Sequence, residues 1–156
     1  MTSFESIYDL FMVTSATDYR LNSLYKNDKE AFYDFLRGFL TKSAYLLSED
    51  LINSLEYTSQ EETEDEKTVT RYYFISDLLP LEIAILVEAL TISWYEKNTE
   101  DILEISSRLG TKDGKENNNR SNLKEKNIRI RELYSAMSAD IRKLQIGNLD
   151  KLEGWG

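Results

Sequence analysis

The chain contains no cysteine and no histidine. Without cysteine there can be no disulfide framework, no thiolate metal site and no thiol nucleophile. Without histidine, the commonest zinc ligand and the commonest general base near neutral pH are both missing. Most hydrolase mechanisms are thereby excluded, and we expect no catalytic residues, no cofactor, no bound metal and no enzymatic activity.

Proline, glycine and long apolar runs are also scarce. One proline and six glycines in 156 residues argue against a turn-rich β-sandwich and favour long helices. No stretch approaches the roughly 18 to 20 continuous apolar residues of a membrane span, and the first residues lack the basic start and apolar core of a signal peptide. The sequence predicts one domain of ordinary size, made in the cytoplasm and without a membrane partner.

Basic side chains are outnumbered by acidic ones. Nineteen basic and 28 acidic side chains give a net charge of −9, which repels phosphate backbones and anionic membranes at long range. Sequence-independent binding of DNA is therefore not expected.

Apolar residues recur at helical spacing in four stretches of the first two thirds of the chain. A short helix is expected around 4–11, and a second helix around 28–47 places several phenylalanines on one face. A third helix is expected to begin near Pro80, which suits the first helical position. A fourth is expected to begin after Thr99 as its N-cap and to end at Gly110.

Two segments have the composition of loops. Residues 15–27 are rich in polar side chains, and residues 49–66 hold eight carboxylates and no basic residue. We expect a solvated acidic loop at 57–70. The β-branched and aromatic residues at both of its ends could nevertheless pair as a small β-hairpin around 55–75.

Two acidic residues match the start of a metal-binding motif. Glu61 and Glu64 have the Glu-x-x-Glu spacing that an all-helical pyrophosphatase uses to bind Mg²⁺. They lie in a polar segment with no apolar face to hold them rigidly, and no Glu-x-x-Asp follows on a later helix. The solvated acidic loop is therefore the preferred interpretation, and no metal ligands are assigned.

The longest regular pattern lies between residues 121 and 145. Apolar or semi-apolar residues recur there in alternating steps of four and three, which predicts one long helix with a heptad seam. The seam consists of Leu123, Asn127, Ile130, Tyr134, Met137, Ile141 and Leu144. A polar linker is expected at 111–120, and an extended C-terminal arm at 146–156.

The expected arm carries three large apolar residues, Leu149, Leu152 and Trp155. They can fold back onto the core of their own domain, or they can bind a groove on a partner, where tryptophan is a frequent anchor. The residues alone leave both interpretations open.

These patterns together predict an all-α fold. We expect a compact helical domain of four to five helices over residues 1–145, which includes the long C-terminal helix and the small β-hairpin. The C-terminal arm follows it as an extended tail.

Charge is distributed unevenly along the chain. Residues 49–66 are purely acidic, whereas residues 112–131 hold seven basic and three acidic side chains. Unlike surfaces on one subunit suit a head-to-tail contact that closes into a ring, although two unrelated solvated surfaces also explain the pattern. The candidate interface residues are Glu61, Glu62 and Glu64 on one side and Lys124, Arg129 and Arg131 on the other.

Several short segments, spread over most of the chain, occur in a characteristic order. They are Ile7-Tyr8-Asp9-Leu10-Phe11, Thr17-Asp18-Tyr19-Arg20-Leu21, Phe32-Tyr33-Asp34-Phe35-Leu36, Gly38-Phe39-Leu40, Asp77-Leu78, Glu82-Ile83, Ile85-Leu86, Ile92-Ser93-Trp94-Tyr95 and Ser121-Asn122-Leu123-Lys124-Glu125. In this order the chain resembles the small all-helical neck proteins of tailed bacteriophages, the head–tail connector or adaptor family that attaches beneath the portal. The segments are helix patterns and not catalytic signatures.

The resemblance implies a structural protein of the virion neck, with no enzymatic activity. Identical subunits would form a ring that matches the twelvefold portal, lengthens the DNA channel and receives the next neck, stopper or tail protein. The C-terminal segment with Leu149, Leu152 and Trp155 would reach toward the portal. DNA would pass without specific binding, since an acidic wall repels phosphates. Asp113-Gly114 and the asparagines that follow depart from the aspartate and aromatic residue of similar proteins, so that contact is not carried over.

The main alternative is a small acidic inhibitor, such as a DNA mimic that blocks a host nuclease. A mimic would spread its carboxylates along a rigid face, whereas a loop crowds them together. The acidic loop expected at 57–70 therefore favours the connector.

Overall fold

The structure, a computed structural model, describes residues 1–14, 19–109 and 113–153, and for 19–21, 98–109, 113–122 and 152–153 it describes the backbone alone. These ranges form five helices and three strands: β1 (Thr2–Ser3), α1 (Phe4–Thr14), α2 (Tyr19–Asn27), α3 (Lys29–Leu46), β2 (Tyr57–Glu64), β3 (Lys67–Phe74), α4 (Pro80–Leu109) and α5 (Asp113–Glu153). The expectation of an all-α fold is wrong. An antiparallel sheet in the order β1-β3-β2 accompanies the helices, and the fold is mixed α/β, with 69% of the chain helical.

The segment expected as an acidic loop at 57–70 forms a β-hairpin, so the loop expectation is wrong and the expectation of a small β-hairpin around 55–75 is confirmed. β2 and β3 pair over their whole length, from Tyr57 opposite Phe74 to Glu64 opposite Lys67. Asp65 and Glu66 make the two-residue turn with φ of 48° and 65°, and positive φ at both positions matches the twist of the strands. The loop prediction failed because β2 is an edge strand. Most of its side chains are exposed, so it needs no apolar residues of its own.

The hydrophobic core forms between the sheet and α1, which begins directly after β1. Phe4, the first residue of α1, is 1% exposed. The centroid of its ring lies 4.6 Å from that of Phe74, 5.5 Å from that of Tyr57 and 5.8 Å from that of Tyr72. Apolar side chains of α3 and α4 complete the core, among them Leu36, Leu40, Ile85, Leu86 and Leu90.

Helix α4 begins at Pro80, as expected, but it continues to Leu109 without a break. The expectation of a new helix after Thr99 is wrong, since no proline or glycine lies between 81 and 109 to stop the first one. Gly110, the expected stop, lies outside the described residues.

Glu82 fixes the start of α4. Its carboxylate is fully buried and accepts a hydrogen bond from the backbone N–H of Leu79 at 3.0 Å, as in a capping box. The backbone N–H groups of Ile52 and Asn53 donate to the same carboxylate at 3.0 and 2.9 Å, and the Asn53 side-chain amide donates at 2.6 Å. One side chain thereby ties the segment before β2 to the start of α4.

Two further segments are helical where loops or extended chain were expected. α2 forms within the expected loop 15–27, of which residues 15–18 lie outside the described part. α5 has 41 residues and is about 60 Å long at 1.5 Å per residue. It includes the expected polar linker from residue 113 onward, residues 111 and 112 being outside the described part, and the expected arm up to residue 153. Lysine, glutamate, arginine and leucine favour a helix over most of α5, but not over the asparagine-rich stretch that includes Gly114.

Helix α5 runs antiparallel to α4 and packs chiefly on it. The Tyr134 hydroxyl donates to Glu96 Oε1 at 2.7 Å, and Leu144 is buried in the core. The heptad seam is confirmed at one of its two positions: Leu123, Ile130, Met137 and Leu144 are buried or half-buried. At the second position, Ile141 is half-buried as expected, whereas Asn127 and Tyr134 are exposed and Lys126 and Leu133 take their place.

Candidate interaction surfaces

The three acidic residues expected at a subunit interface, Glu61, Glu62 and Glu64, lie together on β2. Two of them are bonded within the chain. Glu62 Oε1 accepts a hydrogen bond from the Tyr73 hydroxyl at 2.6 Å, and Glu64 Oε2 lies 2.8 Å from a terminal nitrogen of Arg71. The side chain of Glu61 is exposed, which makes it the most accessible of the three.

Arg71 connects the hairpin to two helices. Its Nε lies 2.7 Å from Glu5 Oε1 of α1, and its Nη1 lies 3.1 Å from Glu30 Oε1 of α3. Burial raises the pKa of Glu5, and the neighbouring Arg71 guanidinium offsets part of this rise. The cavity beside the cluster has a volume of about 20 Å³, which admits a single water and no substrate. This cluster therefore holds the hairpin against α1 and α3.

The outer edge of β2 carries unpaired backbone groups. The Ile75 N–H donates to the Glu56 carbonyl at 2.9 Å, and hydrogen-bonded pairs alternate along an antiparallel ladder. The even-numbered residues of β2 therefore bond to β3. The N–H and C=O groups of Tyr57, Ser59, Glu61 and Thr63 point away from it, and no described strand pairs with them.

An apolar groove borders the first residue of β2. It lies between the end of α3, the segment 48–56 and the start of the hairpin, and its volume is about 850 Å³. Tyr45 is 80% exposed, Ile75 52% and Tyr57 47%. No motif in the sequence marks this groove. Its one local signal is Tyr45, which lies off the apolar face of α3.

The three basic residues expected at the interface are exposed on α5, but they do not share one face. Lys124 and Arg131 line a shallow cavity of about 530 Å³ together with Ile128. Arg129 lies about 140° further around the helix from Lys124, and its guanidinium is 3.4 Å from Glu132. Two of the three predicted residues are therefore brought together.

Of the three residues expected at the C-terminal arm, one is fully described. Leu149 lies on α5 and is 57% exposed, so it does not cover the core of its own chain. Leu152 is helical, with its side chain outside the described part, and Trp155 lies outside the described residues altogether.

Within the described part of the chain, no group of three or more acidic side chains is arranged to hold a metal ion. None of the helices described is both long and apolar enough to cross a membrane.

Comparison of the chain with protein-family models, with curated proteins and with solved structures finds no match. The surfaces described above are therefore the basis for a functional proposal.

Proposed function

We propose that the chain is a non-catalytic structural subunit that assembles head to tail into a ring, as a head–tail connector does beneath a portal. The ring would extend the DNA channel and receive the next neck or tail protein. If the acidic and basic surfaces were instead unrelated and both solvated, the chain would be monomeric.

The observation that carries this proposal is the separation of unlike charges. The carboxylates of Glu61, Glu62 and Glu64 lie on β2, and the cations of Lys124 and Arg131 lie on α5. β2 packs chiefly on β3 and α5 chiefly on α4. Among the described residues, no ion pair joins β2 to α5. A contact between these surfaces therefore has to form between two copies, which suits a heterologous, ring-closing interface.

Charge exchange tests the ring. Mass photometry of the purified protein, alone and with a portal ring, gives the number of subunits. We expect Glu61→Lys with Glu62→Lys to abolish assembly, and Lys124→Glu with Arg131→Glu to do the same. The combined fourfold variant should assemble again, because the unlike charges are then exchanged between the surfaces.

A matched control lies on the same helix. Arg142→Glu with Lys143→Glu makes the same change of charge at exposed positions of α5 and should leave assembly intact. Monomers at every concentration, with and without portal rings, would contradict the proposal.

The exposed Leu149 fits a contact with the portal. Leu149→Asp should weaken portal binding while the helical circular dichroism stays unchanged. Unfolding of this variant would instead show that Leu149 belongs to the fold of its own chain.

A DNA-mimicking inhibitor remains a second candidate because the carboxylates lie on a regular strand. Same-face residues of a strand, such as Glu62 and Glu64, are about 6.6 Å apart. The bonds from Tyr73 and Arg71 engage both of these side chains, so they reduce what Glu62 and Glu64 offer to a nuclease and to a neighbouring subunit alike. Inhibition of a nuclease by the monomer, lost in Glu61→Gln with Glu62→Gln, would favour the mimic.

A further inference from the structure

The outer edge of β2 is a strand edge without a partner. It presents four sets of backbone donors and acceptors, at Tyr57, Ser59, Glu61 and Thr63, as deduced from the pairing with β3. Such edges are templates for another strand, and proteins cover or charge them for that reason. Here the edge is charged with carboxylates and is not covered by any described element.

We propose that this edge binds an extended segment of another protein that contains lysine or arginine. The segment would add to the sheet as a fourth strand beside β2. An apolar side chain at one end of it would enter the groove beside Tyr57.

Charge selects a basic segment over a second copy. A copy paired through its own β2 would place carboxylates opposite carboxylates, and like charges directly opposite each other destabilise a strand pair. Basic side chains in the added strand would instead lie beside Glu62 and Glu64 on one face of the sheet, or beside Glu61 on the other. The same carboxylates thus repel a copy of this edge and attract a basic strand.

The groove provides the apolar half of the site. It is continuous with the edge, because Tyr57 is both the first residue of β2 and part of the groove lining. Tyr45, Ile52 and Ile75 line the same groove with exposed apolar surface. In strand addition, backbone hydrogen bonds supply affinity and pockets for side chains supply specificity.

This inference is separate from the proposed ring. It concerns the backbone edge of β2, whose carboxylates the ring contact also uses, so a neighbouring subunit would compete with the segment. Its test is therefore made with the Lys124→Glu, Arg131→Glu variant, which should not assemble, so that failure of this inference and failure of the ring are distinguishable.

The test uses a synthetic ten-residue peptide of alternating lysine and valine, made with a tryptophan at either end. Amide hydrogen exchange of the ¹⁵N-labelled protein is followed by NMR. With the peptide, the amide exchange of Tyr57, Ser59, Glu61 and Thr63 should slow by at least about tenfold. The amides of Thr58, Gln60 and Glu62, already bonded to β3, should change little.

Two control peptides separate strand addition from attraction of charge. One replaces two central valines by proline, which removes donors and interrupts a ladder. The other has glutamate in place of lysine. Neither should protect the edge amides. Equal protection by either control, or peptide binding without the alternating pattern, would overturn the proposal.

A matched pair of variants tests the edge itself. Ser59→Pro removes an outward N–H and is tolerated at a solvent-facing edge position, so it should fold and lose the peptide. Gln60→Pro removes an N–H bonded to β3 and should destabilise the hairpin. Retained peptide binding in Ser59→Pro would contradict the proposal, as would protection of the edge amides by a dimer without peptide.

Discussion

The body of the molecule and the helix α5 are stabilised in different ways. In the body, buried side chains from α1, α3, β3 and α4 contact one another from several directions. On α5, Leu144 is the single buried apolar residue among the side chains that the structure describes. The body is therefore held by burial on many sides and α5 by one seam on α4. Most of the side chains described on α5, from 123 to 151, are left for solvent or for partners.

The largest expected effect is in the body. Phe4→Ala removes a ring that contacts four other aromatic rings, and we expect the free energy of unfolding to fall by about 3 to 5 kcal/mol. Urea denaturation followed by circular dichroism measures this. The control Phe35→Ala changes a ring that is 36% exposed and should cost much less. An equal loss of unfolding free energy in the two variants would show that the ring contacts of Phe4 do not stabilise the body more than Phe35 does.

The corresponding variant on α5 should cost less. Leu144→Ala is expected to lower the free energy of unfolding by about 2 kcal/mol, the low end for such a change, since one helix alone contributes most of the packing. Hydrogen exchange should accelerate along α5 more than along α1. Ile146→Ala, at an exposed position, is the control. If α1 and α5 accelerate equally, the two regions unfold as one unit.

The contact between α4 and α5 should depend on pH. Burial, together with a hydrogen bond to Asp140, raises the pKa of Glu88 from 4.5 to about 7. The folded protein thus holds a proton that the unfolded chain releases near pH 4.5. The resulting stabilisation is fully present below that pH and is lost as pH rises to about 7. Partial exposure limits it to about 1 to 2 kcal/mol.

Glu88→Gln tests this pH dependence. The variant should lose the downward slope of stability between pH 4.5 and 7, measured by urea denaturation at several pH values, and above pH 7 it should be more stable than the parent. Glu132→Gln, an exposed change on α5, should keep the slope. A slope that persists in Glu88→Gln would assign it to another group.

The smallest effect is expected at the hairpin, a third region outside this comparison. Glu66 has a φ of 65°, which glycine adopts without the steric cost that other residues incur. Glu66→Gly should raise the free energy of unfolding by about 0.5 to 1 kcal/mol. Thr63→Gly, within β2, should lower it by a similar amount. Loss of stability in Glu66→Gly would mean that the Glu66 side chain makes an interaction that outweighs the strain.

The body could be predicted from the sequence where burial leaves a periodic pattern. Phenylalanines and leucines at helical spacing indicate α3, and Pro80 marks the start of α4. The β-hairpin around 55–75 could be predicted from the β-branched and aromatic residues at its ends. The full length of β2 could not, because its acidic part is bonded on one side only and has the composition of a loop. The start of α5 could not be predicted either, because its glycine and asparagines have the composition of a polar linker.

The candidate surfaces could be predicted where their residues are close in sequence, but not where the residues come from separate segments. Glu61, Glu62 and Glu64 are neighbours in sequence and remain neighbours on β2. The groove brings together Tyr45, Ile52 and Ile75 from three separate segments, and no local pattern records that they converge. Arg129 shows the converse, since proximity in sequence to Lys124 does not place it on the same face of a helix.

The buried carboxylate of Glu82 connects the groove to α4 and, through α4, to α5. The backbone of Ile52 and Asn53 lines the groove and is bonded to Glu82. Glu82 lies in the first turn of α4, a helix about 45 Å long at 1.5 Å per residue. A segment bound in the groove would therefore act near the first turn of α4. If it rotated α4 there, the resulting displacement would be largest at the far end of the α4–α5 pair.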